Sequence, residues 1–181
     1  MKILKKILVG IAVLIVLLLI VALFVPKQYT VSASTTINKP QKEVFDYVKL
    51  IRNQENYSVW ILADPNLKPT YHGTDGTVGF TASWNSQDDG IGEDVGEGSQ
   101  TITGIIEGER LDVDLNFIRP FEGKQKAATI VTPISASQTK VTSEFYGNDP
   151  YPMNLMSLIG KPMLRDAQQQ NMQNLKAILE K

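Results

Sequence analysis

The chain contains no cysteine and one histidine, His72. Without cysteine there is no disulfide scaffold, thiol nucleophile, iron–sulfur cluster or thiolate zinc site. A single histidine excludes multi-histidine metal sites, so no metal or cofactor is expected. Positive charge is not in excess: 18 Lys and Arg stand against 19 Asp and Glu. Lys2, Lys5 and Lys6 lie at the extreme N-terminus, leaving 15 basic against 19 acidic residues, a net charge of −4, for the rest. A polyanion-binding protein concentrates basic surface, so no nucleic-acid partner is expected. Internal repeats and low-complexity linkers are also missing.

What the chain does have is a long apolar run. Ile7 to Val25 is 19 residues without a charged or polar side chain. As a helix rising ~1.5 Å per residue it matches a hydrocarbon core ~30 Å thick. Three lysines before it and only Lys27 close behind favour a cytoplasmic N-terminus and an extracytoplasmic folded part. A cleaved signal peptide is the alternative. It fits less well, because the run exceeds the ~7–15 residues of a signal core. Leu23-Phe24-Val25-Pro26-Lys27 is also a poor peptidase site, and Ser32-Ala33-Ser34 lies well past the apolar end. Residues 1–27 are therefore read as a single-pass membrane anchor. Residues 28–181 are read as one domain, long enough for a hydrophobic core.

Gln28 to Ile37 is rich in Thr, Val and Ser and reads as a strand. Asn38-Lys39-Pro40 starts a helix, with a polar cap candidate and a proline tolerated in the first turn, and its Val44, Phe45, Val48 and Ile51 recur at helical spacing. Asn53 to Tyr57 suggests a second short helix, and Asp64-Pro65-Asn66 a turn. From Lys68 to Tyr146, turn residues separate short β-branched and aromatic segments, which predicts an antiparallel sheet of consecutive hairpins. Leu111, Val113, Leu115 and Phe117 alternate with Asp112, Asp114 and Asn116, so one face is buried and one is wet. After Pro150 and Pro152 the chain turns helical. A turn or kink is expected at Gly160 and Pro162, then one helix to about Leu179.

Asp88 to Asp114 holds nine acids and one base, Arg110. Asp88, Asp89, Glu93, Asp94 and Glu97 lack the ligand spacing of a calcium loop, and a solvated acidic hairpin is the simpler reading. Asp112 and Asp114 share a strand face, but it is the face opposite the apolar one. His72 precedes a glycine turn with no activated serine motif beside it. Gly73, Gly76 and Gly79 lack the setting of a phosphate loop. No catalytic motif is found.

The order of short sequence words resembles the helix-grip superfamily of START domains, pollen-allergen-like proteins and polyketide cyclases/dehydrases (SRPBCC). Ile37-Asn38-Lys39-Pro40 with Val44-Phe45-Asp46-Tyr47-Val48 is similar to the first strand and helix of its polyketide-cyclase-like branch. Asn56-Tyr57-Ser58-Val59-Trp60, Tyr71-His72-Gly73, Ser83-Trp84, Glu109-Arg110-Leu111 and Pro120-Phe121-Glu122-Gly123 continue in family order. Asp149-Pro150-Tyr151-Pro152-Met153 resembles the approach to its last helix. Tyr57 stands where tryptophan is common, and Val59 where proline is common. The resemblance implies an α+β helix-grip fold: a curved antiparallel sheet wrapped around a long C-terminal helix, here preceded by one transmembrane helix. It also implies a cavity between sheet and helix for a lipid-, sterol- or polyketide-like molecule.

The cavity lining expected on this basis is Leu111, Val113, Leu115 and Phe117 from the sheet and Met156 and Met163 from the helix, with Trp60 and Trp84 as candidate guards of the mouth for which structural packing is the simpler role. All methionines except the first, Met153, Met156, Met163 and Met172, fall in the last helical region. Their flexible, polarisable chains suit varied apolar ligands, and ordinary core packing would use them equally well. The expectation is a membrane-tethered binding module for a hydrophobic small molecule. The alternatives are a cyclase/dehydrase-type enzyme acting on such a ligand, or a protein-interaction module.

Overall fold

The computed structural model describes residues 2–87 and 93–181. An apolar helix, α1 (Lys2–Phe24), precedes the domain. Then follow β1 (Gln28–Ile37), α2 (Gln41–Val48), a 3-10 helix (Ile51–Asn56), α3 (Val59–Ala63), β2 (Thr70–His72) and β3 (Thr81–Asn85). The meander continues with β4 (Glu97–Ile106), β5 (Arg110–Arg119), β6 (Gly123–Ser135) and β7 (Gln138–Asn148). A second 3-10 turn (Met153–Met156) leads into α4 (Ser157–Leu179). The fold is α+β, as expected: one antiparallel sheet ordered β1-β7-β6-β5-β4-β3-β2, and a long C-terminal helix. β2 to β7 are neighbours in sequence order, and β1 closes on β7 in a ten-residue register from Gln28 opposite Asn148 to Ile37 opposite Thr139. Register shifts at Glu97/Gly98, Ile102/Gly104 and Pro133/Ser135 bend the sheet, since each extra residue adds local twist.

The inner face holds two adjoining clusters. In the first, Met172 and Leu175 of α4 pack on Ala33, Ile37, Val131 and Val141 of the sheet and on Val44, Phe45 and Val48 of α2. In the second, Leu111 and Val113 of β5 pack with Ile51, Phe80, Ala82 and Ile102. Ile105 touches both. Each fully buried aliphatic or aromatic side chain contributes about 1.5–3 kcal/mol. α4 lies mainly along β1, so Leu111 and Val113 share its side of the sheet but are covered by Ile51 and Phe80.

Two local expectations are corrected. α4 is continuous through Gly160 and Pro162. Pro162 removes the donor for the Leu158 carbonyl, at a turn where Leu158 is itself exposed. At the start of α2, Pro40 takes the N-cap position without a side-chain cap. Asn38 is engaged elsewhere: its N–H donates to Glu180 Oε1 at 2.6 Å, and its Oδ1 accepts from Gln138. With Lys176 Nζ on the Thr36 carbonyl, this ties the end of α4 to the end of β1.

Candidate functional site

Burial along the inner face is graded. On β5, Leu111 and Val113 are buried, whereas Leu115 and Phe117 are half-buried. On β3, Ala82 is buried and Trp84, two residues on, is half-buried. On β4, Ile102 is buried and Gln100 half-buried. The inner face therefore has a sealed half under Phe80 and Ile51, and an open half that carries Trp84, Gln100, Leu115 and Phe117.

Local sequence explains how the open half is built. Gly98 pairs with Trp84 on one side and Phe117 on the other. Lacking a side chain, it lets the two rings meet across it at 6.0 Å and 72°, an edge-to-face contact. A Cβ at Gly98 would come within 2.6 Å of the Trp84 ring and 2.7 Å of the Asn116 carbonyl. On the other side, Gly147 leaves room for the Tyr29 ring, which lies 6.4 Å from Phe145 and under Lys161 Nζ at 4.6 Å. Burial, reinforced by Asp149, pushes the Tyr29 phenol up to about 12. It stays neutral and presents an apolar face. A groove of about 450 Å³ opens beside Phe117 at the β5–β6 turn, lined also by Asn116, Ile118, Glu122, Gly123 and Lys124.

From the helix side comes a group that sequence reasoning missed. Gln168 is one turn before Met172 on the inward stripe of α4 and only 6% exposed, yet its Oε1 has no partner among the described residues. A buried unpaired carbonyl costs about 1–3 kcal/mol, so it asks for a reason. Asn154 and Ser157, both buried, likewise leave Oδ1 and Oγ unpaired. The available signal was spacing, since Gln168 falls four and seven residues before Met172 and Leu175. Embedded in Gln168-Gln169-Gln170, it reads as solvated helix surface.

The anticipated residues are thus divided. Leu111, Val113, Leu115, Phe117 and Trp84 share the inner face. Trp60 on α3, Met156 and Met163 are instead 46%, 49% and 63% exposed. Asp112 pairs with Arg110 at 2.7 Å and Asp114 with Lys126 at 3.7 Å, in the ladder positions that alternate away from Leu111 and Val113. Arg110 also donates to Tyr146, which bonds Glu144, a polar network over the outer face. Asp94 and Glu97 bind Arg119 at 3.1 and 3.6 Å. Asp88 and Asp89 of the same acidic run lie outside the described residues. Among the described residues no group of three or more His, Asp or Glu is placed to hold a metal ion. His72 is exposed on the sheet-edge strand β2.

No protein-family model matches the chain, and no curated protein matches it by sequence. Solved structures do share its fold. Protein CV1439 from Chromobacterium violaceum is 12% identical with a TM-score of 0.59, over 84% of this chain and 99% of that one. A protein from Arthrobacter aurescens is 18% identical with a TM-score of 0.60, over 83% and 85%. DynU16, from the dynemicin biosynthetic locus, is 14% identical with a TM-score of 0.57, over 83% of this chain and 47% of DynU16. At such identities the likeness establishes the fold alone: a small antiparallel sheet gripping a C-terminal helix.

Proposed function

We propose that this protein is a membrane-anchored binding module that holds a hydrophobic small molecule against the open half of its sheet. The observations that support this reading are an unsealed apolar surface on the sheet, Trp84, Leu115 and Phe117, and, on α4, a buried Gln168 carbonyl without a partner among the described residues. Apolar area supplies the driving force, and a few fixed polar groups set orientation. Leu111 and Val113 form the floor. Helix α1, with 23 residues, has the length and apolar character of a membrane span. Its flanking lysines favour an extracytoplasmic domain. The fold shared with DynU16, from a biosynthetic locus, agrees with a small-molecule ligand.

A single-tryptophan experiment tests this. The chain has two tryptophans, so a Trp60→Phe variant leaves Trp84 as sole reporter. Added to the full chain in detergent, a brominated fatty acid should quench Trp84 saturably, and a further Leu115→Gln change should abolish the saturable component. Quenching that never saturates and is equal in both variants would contradict the reading.

A further inference from the structure

The open half of the inner face and the exit of α1 lie at the same edge of the domain. Gln28 pairs with Asn148, Phe117 with Gly123 and Gly98, and Gly98 with Trp84. The starts of β1, β4 and β6 and the ends of β3, β5 and β7 therefore lie together there. Helix α1 is latched to that edge. Asn154, fully buried, donates from Nδ2 to the carbonyls of Ala22 at 2.8 Å and Val25 at 2.7 Å. The Asp149 N–H donates to the Lys27 carbonyl at 2.9 Å. The Tyr151 hydroxyl reaches the Leu19 carbonyl at 3.3 Å. Leu19 is about 7.5 Å down the helix from Phe24, at 1.5 Å per residue.

If α1 spans the bilayer, these bonds hold the 3-10 turn at the level of the membrane surface. Apolar side chains are exposed around it, with the charged Glu122 and Lys124 on the β5–β6 turn. Met153, Met156, Ile159 and Met163 flank the opening on the helix side, and Ile118 and Phe121 on the β5–β6 side. Between Asp149 and Asp166 there is no acid, only the bases Lys161 and Arg165, a pattern suited to lipid headgroups. The opposite edge carries the ion pairs Lys39–Glu43, Lys42–Asp46 and Lys49–Glu107, while on this edge the pairs of Arg119 with Asp94 and Glu97 lie on the β4–β5 side, away from the 3-10 turn.

We infer that this edge is immersed in the bilayer interface, so that the open half of the sheet faces lipid and exchanges its ligand with the membrane without passage through water. The inference rests on reading α1 as the membrane anchor. The occupant of the apolar edge is the lipid surface itself. It is chosen over a second copy or a protein partner because α1 delivers the edge to that surface.

The absence of cysteine allows single nitroxide labels in the full chain. Labels at Phe121, Ile159, Leu14 and Lys140 would be read by power saturation in phosphatidylcholine/phosphatidylglycerol vesicles, with oxygen and a water-soluble nickel chelate as relaxants. The expected result is an oxygen-to-nickel ratio at Phe121 and Ile159 several-fold above that at Lys140, and below that at Leu14. Labels at Phe121 and Ile159 matching Lys140, with Leu14 immersed, would overturn the inference and leave the anchor standing. Labels shielded from both relaxants, as under a second copy, would also overturn it. A water-exposed Leu14 would overturn the anchor and the inference together.

Discussion

Two residues define the open half by what they withhold. Gly98 withholds a side chain, so Trp84 and Phe117 close over it. Gly98→Ala should push the Trp84 ring aside and press on the Asn116 carbonyl, which as backbone cannot yield. We expect a loss of about 1–3 kcal/mol in urea unfolding, the usual range for overpacking, with a change in the near-ultraviolet signal of Trp84. An unchanged midpoint and spectrum would refute the packing described. Gln168 withholds a hydrogen bond. Replacing it by methionine keeps chain length and removes the orphan carbonyl, so Gln168→Met should raise stability by about 1 kcal/mol. It should also weaken ligand binding. A destabilised variant would show that Gln168 is satisfied in solution and has no orienting role.

At the scale of the element, α4 divides in two. Its C-terminal half buries Met172 and Leu175 and is tied down through Asn171 to the Val59 N–H, Asn174 to the Tyr57 carbonyl and Lys176 to the Thr36 carbonyl. Its first turns carry Leu158, Ile159 and Met163 exposed and Pro162 in the chain. Opening free energy follows local burial and hydrogen bonding. In detergent, amides of residues 169–179 should exchange far more slowly than those of 157–163. Uniform protection along α4 would contradict this division.

The periodicity that predicts a helix is blind to it. Met156, Ile159 and Met163 follow helical spacing as faithfully as Leu175 and Ile178, yet the first three are exposed and the last two pack in the core. Strands were more legible. The alternation from Leu111 to Phe117 and the turn residues between hairpins appear in place, because a two-residue period and a glycine turn are local properties. The latch from Asn154 to Ala22 and Val25 joins residues far apart in the chain and has no local signature. Gln168 is hidden for a related reason: a polar residue's burial depends on the helix's rotation against the sheet. Exposed Met156 and Met163 show the converse, since apolar character alone does not say which surface covers a residue.

For the whole molecule, tyrosines record how polar groups were buried. Burial is the leading cause that raises Tyr29, Tyr57, Tyr71 and Tyr146 above the ordinary phenol value of 10.0. Tyr71 is held neutral also by its bond to Glu55, against the Arg52 guanidinium 4.2 Å from its ring. In each case the unfolded chain ionises first and so binds fewer protons than the folded one at alkaline pH. Stability is therefore full below pH 10 and declines as pH rises toward the folded values, about 12 for Tyr29. A spectrophotometric titration should show a late-ionising class that contains Tyr29, Tyr57, Tyr71 and Tyr146, in step with unfolding. A titration without any late class would contradict the packing.

On the proposed reading, the open half of the sheet holds a hydrophobic molecule drawn from a membrane spanned by α1. Native mass spectrometry of the full chain, released from nanodiscs made with its host's own lipids, should then show a one-to-one adduct with a bilayer-resident apolar molecule that survives detergent stripping and is lost in a Leu115→Gln, Phe117→Gln variant. A bare mass for the native chain, or an adduct equally retained by that variant, would contradict it.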